Sequence, residues 1–120
     1  MLLISNPQER HWQQQVKEVL NPLGELEITG EKDWQERLRR QSYALIIIDA
    51  SLAINPAYII RQLRIIQPEA KIVVMTDAPS WKQARELFYA GAADYLLKLS
   101  SPQELLAAFR EVLARQVVQV

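Results

Sequence analysis

The chain contains no cysteine, which removes disulfides, thiolate nucleophiles and thiolate metal sites at once and fits a reducing compartment. Histidine occurs once, as His11, beside an apolar stripe and in a row with Gln15 and Glu18. One carboxylate two turns away makes neither a metal site nor a catalytic pair, so His11 reads as a surface residue. The three glycines, Gly24, Gly30 and Gly91, fall in turns, and no glycine-rich phosphate loop can be assembled from them. That places a small nucleotide-binding enzyme well behind other readings. Neither sign of charge dominates, with 14 basic and 14 acidic residues. The densest basic cluster, Arg37, Arg39 and Arg40 beside Glu36 and Leu38, reads as a solvated helix face and gives no reason to expect nucleic-acid contact. Long hydrophobic runs are missing too. The opening Met1-Leu2-Leu3-Ile4 is short and has no basic leader, so the expectation is neither a signal peptide nor a membrane span, and a cytoplasmic protein.

What is present is enough for one domain over residues 1–120, with a core that needs no metal or disulfide support. Its organising stretch is Tyr43-Ala44-Leu45-Ile46-Ile47-Ile48-Asp49. A short apolar run without alternation reads as a strand buried on both faces of a parallel sheet. Asp49 then stands at the carboxyl end of that strand, where open α/β sheets bind ligands. The competing reading is a turn aspartate that caps its own backbone.

The rest of the chain repeats the same unit. Leu2-Leu3-Ile4 reads as a first strand, and Asn6, Pro7 and Glu9 form a helix start with a capping box. Trp12, Val16, Val19 and Leu20 then supply one buried stripe. Leu26 and Ile28 alternate with polar neighbours as an edge strand, and Trp34 and Leu38 mark a short, mostly exposed helix. Asn55-Pro56 opens a third helix carrying Ile59, Ile60, Leu63 and Ile66 inward. Ile72 to Met75 is a buried strand closed by Thr76-Asp77. A fourth helix has Ala84, Leu87 and Phe88 as its inward stripe and Gly91 as its left-handed terminator. Tyr95-Leu96-Leu97 precedes Lys98, and the box Ser101-Pro102-Glu104 starts a last helix with Leu105, Leu106, Phe109, Val112 and Leu113. Val117, Val118 and Val120 extend that helix or pack on a partner. Five βα units with short links predict an α/β, three-layer (βα)5 flavodoxin-like domain with sheet order 2-1-3-4-5. In that order Ser5-Asn6, Asp49, Thr76-Asp77 and Lys98 are neighbours.

An acid, a hydroxyl and an ammonium at one crevice suit phosphoryl chemistry, with Asp49 as nucleophile, Thr76 as hydrogen-bond donor and Lys98 as counter-charge. The strands ending in Asp49 and Thr76, and the block Ala90-Gly91-Ala92-Ala93-Asp94-Tyr95-Leu96-Leu97-Lys98, resemble the receiver domain of two-component response regulators. The resemblance covers essentially the whole chain. It implies a switch phosphorylated on Asp49 by a histidine kinase, with Thr76 and Tyr95 as switch residues. It also implies Mg²⁺ beside Asp49, and an output or homodimer surface made by the fourth helix, fifth strand and fifth helix.

Four positions depart from that pattern. Ser5-Asn6 stands where the family has an acidic pair, leaving Asp49, the Asn6 amide, the Ser51 carbonyl and water as the weak donor set for Mg²⁺. Glu9 is a substitute carboxylate unless its capping box absorbs it. Asp77 adds negative charge where a phosphoryl group would sit. Leu99 replaces a proline after Lys98, predicting a trans bond and a lysine aimed elsewhere. These departures support the alternative of a pseudo-receiver, a phosphorylation-independent module that acts by protein contact.

Overall fold

A computed structural model describes residues 1–115; Val117, Val118 and Val120 lie outside them. Five parallel strands form one sheet in the order β2-β1-β3-β4-β5. They are β1 (Leu2–Ile4), β2 (Glu27–Thr29), β3 (Leu45–Asp49), β4 (Lys71–Thr76) and β5 (Asp94–Leu97). The helices between and after them are α1 (Arg10–Leu20), α2 (Trp34–Arg40), α3 (Pro56–Ile66), α4 (Trp81–Ala90) and α5 (Pro102–Ala114). The predicted fold class and strand order are both observed.

The central strand is apolar throughout because each of its faces meets a separate core. Ile46 and Ile48 pack with Trp34, Ile59, Ile60 and Leu63 beneath α2, α3 and α4. Leu45 and Ile47 pack with Trp12, Leu20, Phe109 and Val112 beneath α1 and α5. Burial of two faces removes any advantage of a polar residue until position 49. β2 lies at the edge, as its alternating pattern suggested. Its Glu27 accepts from the Tyr43 hydroxyl and pairs with Arg37 at 3.8 Å. Burial and the Glu27 bond push the Tyr43 phenol up from its ordinary value.

The helix starts follow the capping signals. Asn55 accepts from the Ala57 amide, Ser80 from Gln83 and Ser101 from Glu104. α4 ends on Gly91 at φ 119°, a backbone angle that costs a side chain but not glycine. Two expectations change here. Phe88 does not face inward: it is 47% exposed, while Leu87 is the buried residue of α4. A second apolar stripe, through Trp81 and Phe88, competes with the inward one, and the sheet takes only one of them. The Glu9 capping box is also absent. Asn6 caps a single 3₁₀ turn, Pro7–Glu9, and this turn sends the Glu9 carboxylate toward β3 instead.

Candidate functional site at the carboxyl end of the sheet

The site is set by how abruptly β1 ends. Asn6 Oδ1 accepts from the Gln8 amide at 3.0 Å, so the chain leaves the strand and enters α1 within a few residues. Ser5 is left at the strand tip, buried, with its hydroxyl aimed at the neighbouring strand. Ser5 Oγ donates to Asp49 Oδ2 at 2.7 Å. Asp49 is fully buried, and its other oxygen is just as occupied. Oδ1 accepts from the Ser51 amide at 2.9 Å and from the Ser51 hydroxyl at 2.7 Å. Lys98 Nζ stands 2.7 Å from the same atom. That approach is too oblique for a directed hydrogen bond and acts as an ion pair.

The Lys98 side chain is nearly as enclosed as its partner. It is 6% exposed, 3.7 Å from Glu9 Oε1, with Nζ 4.2 Å above the centroid of the Trp12 ring. Two carboxylates and an aromatic face replace the water that a lysine ammonium normally holds. Burial pushes the Asp49 carboxyl up, but Lys98, Ser5 and Ser51 outweigh it and hold the group below its ordinary value of 3.8. Asp49 is therefore ionised at neutral pH.

Of the residues named from sequence, Asp49 and Lys98 meet directly. The substitution of Leu99 for proline does not turn the lysine away, contrary to expectation. Its amide donates to the Thr76 carbonyl at 2.8 Å, which continues strand pairing past β5 and delivers the side chain to the acid. No described peptide bond is cis. Thr76 stands on the same rim, one residue beyond the level at which Met75 pairs with Asp49. Alternation along the strands puts Asp49 and Lys98 on the α1/α5 side and Thr76 on the other. The Thr76 hydroxyl accepts from the Ala78 amide at 3.1 Å and bonds to neither charged group. Tyr95 is elsewhere. Its hydroxyl donates to Gln83 Oε1 at 2.7 Å and accepts from the Ser80 amide at 3.3 Å, docking the ring on the start of α4. Asp77 is exposed at the rim, and His11 is exposed as expected.

The donor set does not fit Mg²⁺, which demands near-octahedral oxygen ligands at about 2.0–2.1 Å. Both Asp49 oxygens are in use. Asn6 spends its oxygen on the helix start and turns its amide nitrogen toward Ser51 Oγ at 3.4 Å. Ser51 presents N–H and O–H groups to the acid, and Glu9 Oε1 accepts from the Ser51 hydroxyl at 3.4 Å. Among the described residues, no group of three or more His, Asp or Glu could hold a metal. An ammonium occupies the counter-ion role.

Two residues of this site were not singled out for it from sequence. Gln13 is buried, and its Nε2 donates to Ser5 Oγ at 2.9 Å and to the Asn6 carbonyl at 2.7 Å. Trp12 was expected only as part of the core stripe, yet its ring also covers Lys98. A glutamine adjoining the buried stripe of α1 was the available signal.

A solved structure described as a CheY-like response regulator receiver domain protein from Methanospirillum hungatei superposes with a TM-score of 0.81, covering 93% of this chain and 90% of that one at 20% identity. The chain has the fold of a receiver domain. A second receiver-fold neighbour, described as an atypical orphan response regulator with a phosphorylation-independent regulatory mechanism, matches at a TM-score of 0.78 and 21% identity, covering 93% and 92% of the two chains. In sequence, the chain is 35% identical over 82 residues to the alginate biosynthesis transcriptional regulatory protein AlgB of Pseudomonas putida, over 67% of this chain. The receiver-fold chain spans only 18% of that relative's length. No protein-family model matches the chain.

Proposed function

We propose that this receiver-fold domain is a signalling module of the two-component type that acts by protein contact and does not depend on phosphorylation of Asp49. The observation that carries the reading is the closure of Asp49: it is fully buried, with both oxygens engaged by Ser5, Ser51 and Lys98. A phosphodonor must approach a carboxylate oxygen in line, and here each oxygen already has a partner in the way. Asp77 and Glu9 add negative charge around the rim, which repels an incoming phosphoryl group. The orphan regulator described as phosphorylation-independent supplies a precedent on the same fold.

In this reading Asp49 holds Lys98, and Lys98 holds the β5–α5 junction where Leu97 and Leu99 are exposed. The partner is a histidine kinase or another signalling protein, or a second copy through α4, β5 and α5, in the cytoplasm. The domain binds and does not catalyse. A second reading, in which Asp49 accepts a phosphoryl group and Thr76 and Tyr95 switch, is favoured by the pairing of Asp49 with Lys98 and by Thr76 standing on the same rim. It requires Lys98 to release Oδ1 and the Thr76 hydroxyl to leave Ala78.

Thermal melting with and without millimolar Mg²⁺ separates the two, because a ligand bound only by the folded state raises its stability. The first reading predicts no shift. A rise that disappears in Asp49→Ala supports the second.

A further inference from the structure

Among the described residues, three buried side-chain groups lack a hydrogen-bond partner, and two of them lie together: Trp12 Nε1 and Lys98 Nζ. The Lys98 ammonium is compensated by charge, with Asp49 Oδ1 at 2.7 Å and Glu9 Oε1 at 3.7 Å. The indole N–H has no such compensation. It is kept from water without an acceptor, which is rare for a buried donor and calls for a physical reason.

What lies under the ring supplies it. Nζ stands 4.2 Å from the Trp12 centroid, and an ammonium shielded from water over an indole face is a strong contact of its kind. Stranding the N–H and gaining that contact are free energies of similar size, so the position of the ring is closely balanced. Room for it to move adjoins it. A groove of about 420 Å³ runs between α1 and the β5–α5 junction, with Trp12, Val16, Val19, Lys98, Leu99 and Leu105 in its lining. Rotation of the side chain into that groove gives the N–H to water and keeps the ring beside apolar neighbours.

We propose that Trp12 is a lid set by the buried Asp49–Lys98 pair: it closes over the ammonium while the acid holds Lys98 in place, and swings into the α1/α5 groove when the pair is broken. The site then has an outlet on the side of the sheet away from Thr76 and Tyr95, where Trp12 packs in the core beneath α1 and α5. The lid needs neither a phosphoryl group nor Mg²⁺. Any change that parts Lys98 from Asp49 opens it and remodels the groove wall.

Exchange of the indole N–H groups with water, followed by ¹H–¹⁵N NMR on the whole chain, tests it. The three tryptophans give three signals, assigned with Trp12→Phe and Trp81→Phe. In the wild type the Trp12 N–H is expected to be protected, unlike that of Trp81, which is 86% exposed. Lys98→Met and Asp49→Ala should each speed its exchange about tenfold or more, the scale set by a desolvated cation–π contact. The Trp34 signal, from a ring buried on the other face, stays unchanged and shows that the fold is intact. Where a stranded charge unfolds either single variant, the double variant Asp49→Ala with Lys98→Met leaves no such charge and gives the same acceleration. Ile60→Val, a core change on the other face, leaves Trp12 protected. A wild-type Trp12 N–H that exchanges as fast as that of Trp81, one still protected in the folded variants, or one exposed equally by Ile60→Val would each overturn the proposal. None of those results bears on the Mg²⁺ melting test, so the two readings fail separately.

Discussion

Lys98 Nζ and Asp49 Oδ1 lie 2.7 Å apart between side chains that are 6% and 0% exposed. Each is the charge that makes the other's burial tolerable. Removing one member strands the other, and the cost of an unpaired buried charge exceeds that of losing the pair.

Asp49→Ala is accordingly expected to destabilise the fold by about 3–5 kcal/mol. Adding Lys98→Met to it recovers part of the loss, since the stranded ammonium disappears. Urea unfolding of the single and double variants measures both. A double variant less stable than Asp49→Ala would mean that Lys98 does not depend on the acid.

The pH dependence follows from the sign of the Asp49 shift. Its folded value lies below the ordinary 3.8, so the unfolded state binds more protons between the two values and stability rises with pH there. The contribution is complete above the ordinary aspartate value and is lost as pH falls through the depressed one. Lys98→Met removes the strongest lowering influence, leaving the upward push of burial opposed by Ser5 and Ser51 alone. Its acid limb should move to higher pH than wild type, as seen in urea midpoints collected through the acid range, whereas Asp49→Asn should flatten that limb.

Gln13 supports the acid through Ser5. Gln13→Leu leaves the Asn6 carbonyl without its side-chain donor and frees Ser5 Oγ to turn, at an expected cost of about 1–3 kcal/mol. Urea unfolding reads this, and indifference to the change would show the relay to be incidental.

How far the sequence carried this site depended on where each signal resides. Strand order and the placing of Asp49 and Lys98 at one rim were legible because apolar runs and caps fix the βα units, and few topologies accommodate five of them, whereas the direct pairing was obscured by Leu99. Gln13 was not legible, since its burial arises from the tip of β1 and not from the period of α1. Glu9 was misread because a capping box and a single 3₁₀ turn begin with the same residues. Phe88 was misread because α4 carries two apolar stripes, and periodicity alone cannot choose which of them the sheet takes.

Gly91 tests the joint between α3 and α4. At φ 119° it already excludes most side chains, and an added Cβ would sit 2.8 Å from Arg64 Nε. Arg64 cannot easily yield, because it donates to the carbonyls of Pro68, Ala70 and Gly91. Gly91→Ala should cost at least about 1–2 kcal/mol, measured by chemical unfolding. A loss below about 0.5 kcal/mol, the scale of an ordinary surface change, would contradict the described joint.

Intact-mass measurement after incubation with acetyl phosphate and Mg²⁺ addresses the closure of Asp49 most directly. The wild-type chain is expected to keep its unmodified mass, while Ser5→Asp, which restores an acid beside Asp49, serves as the variant in which an adduct is sought. A phosphate adduct on the wild-type chain that Asp49→Ala removes would contradict the account.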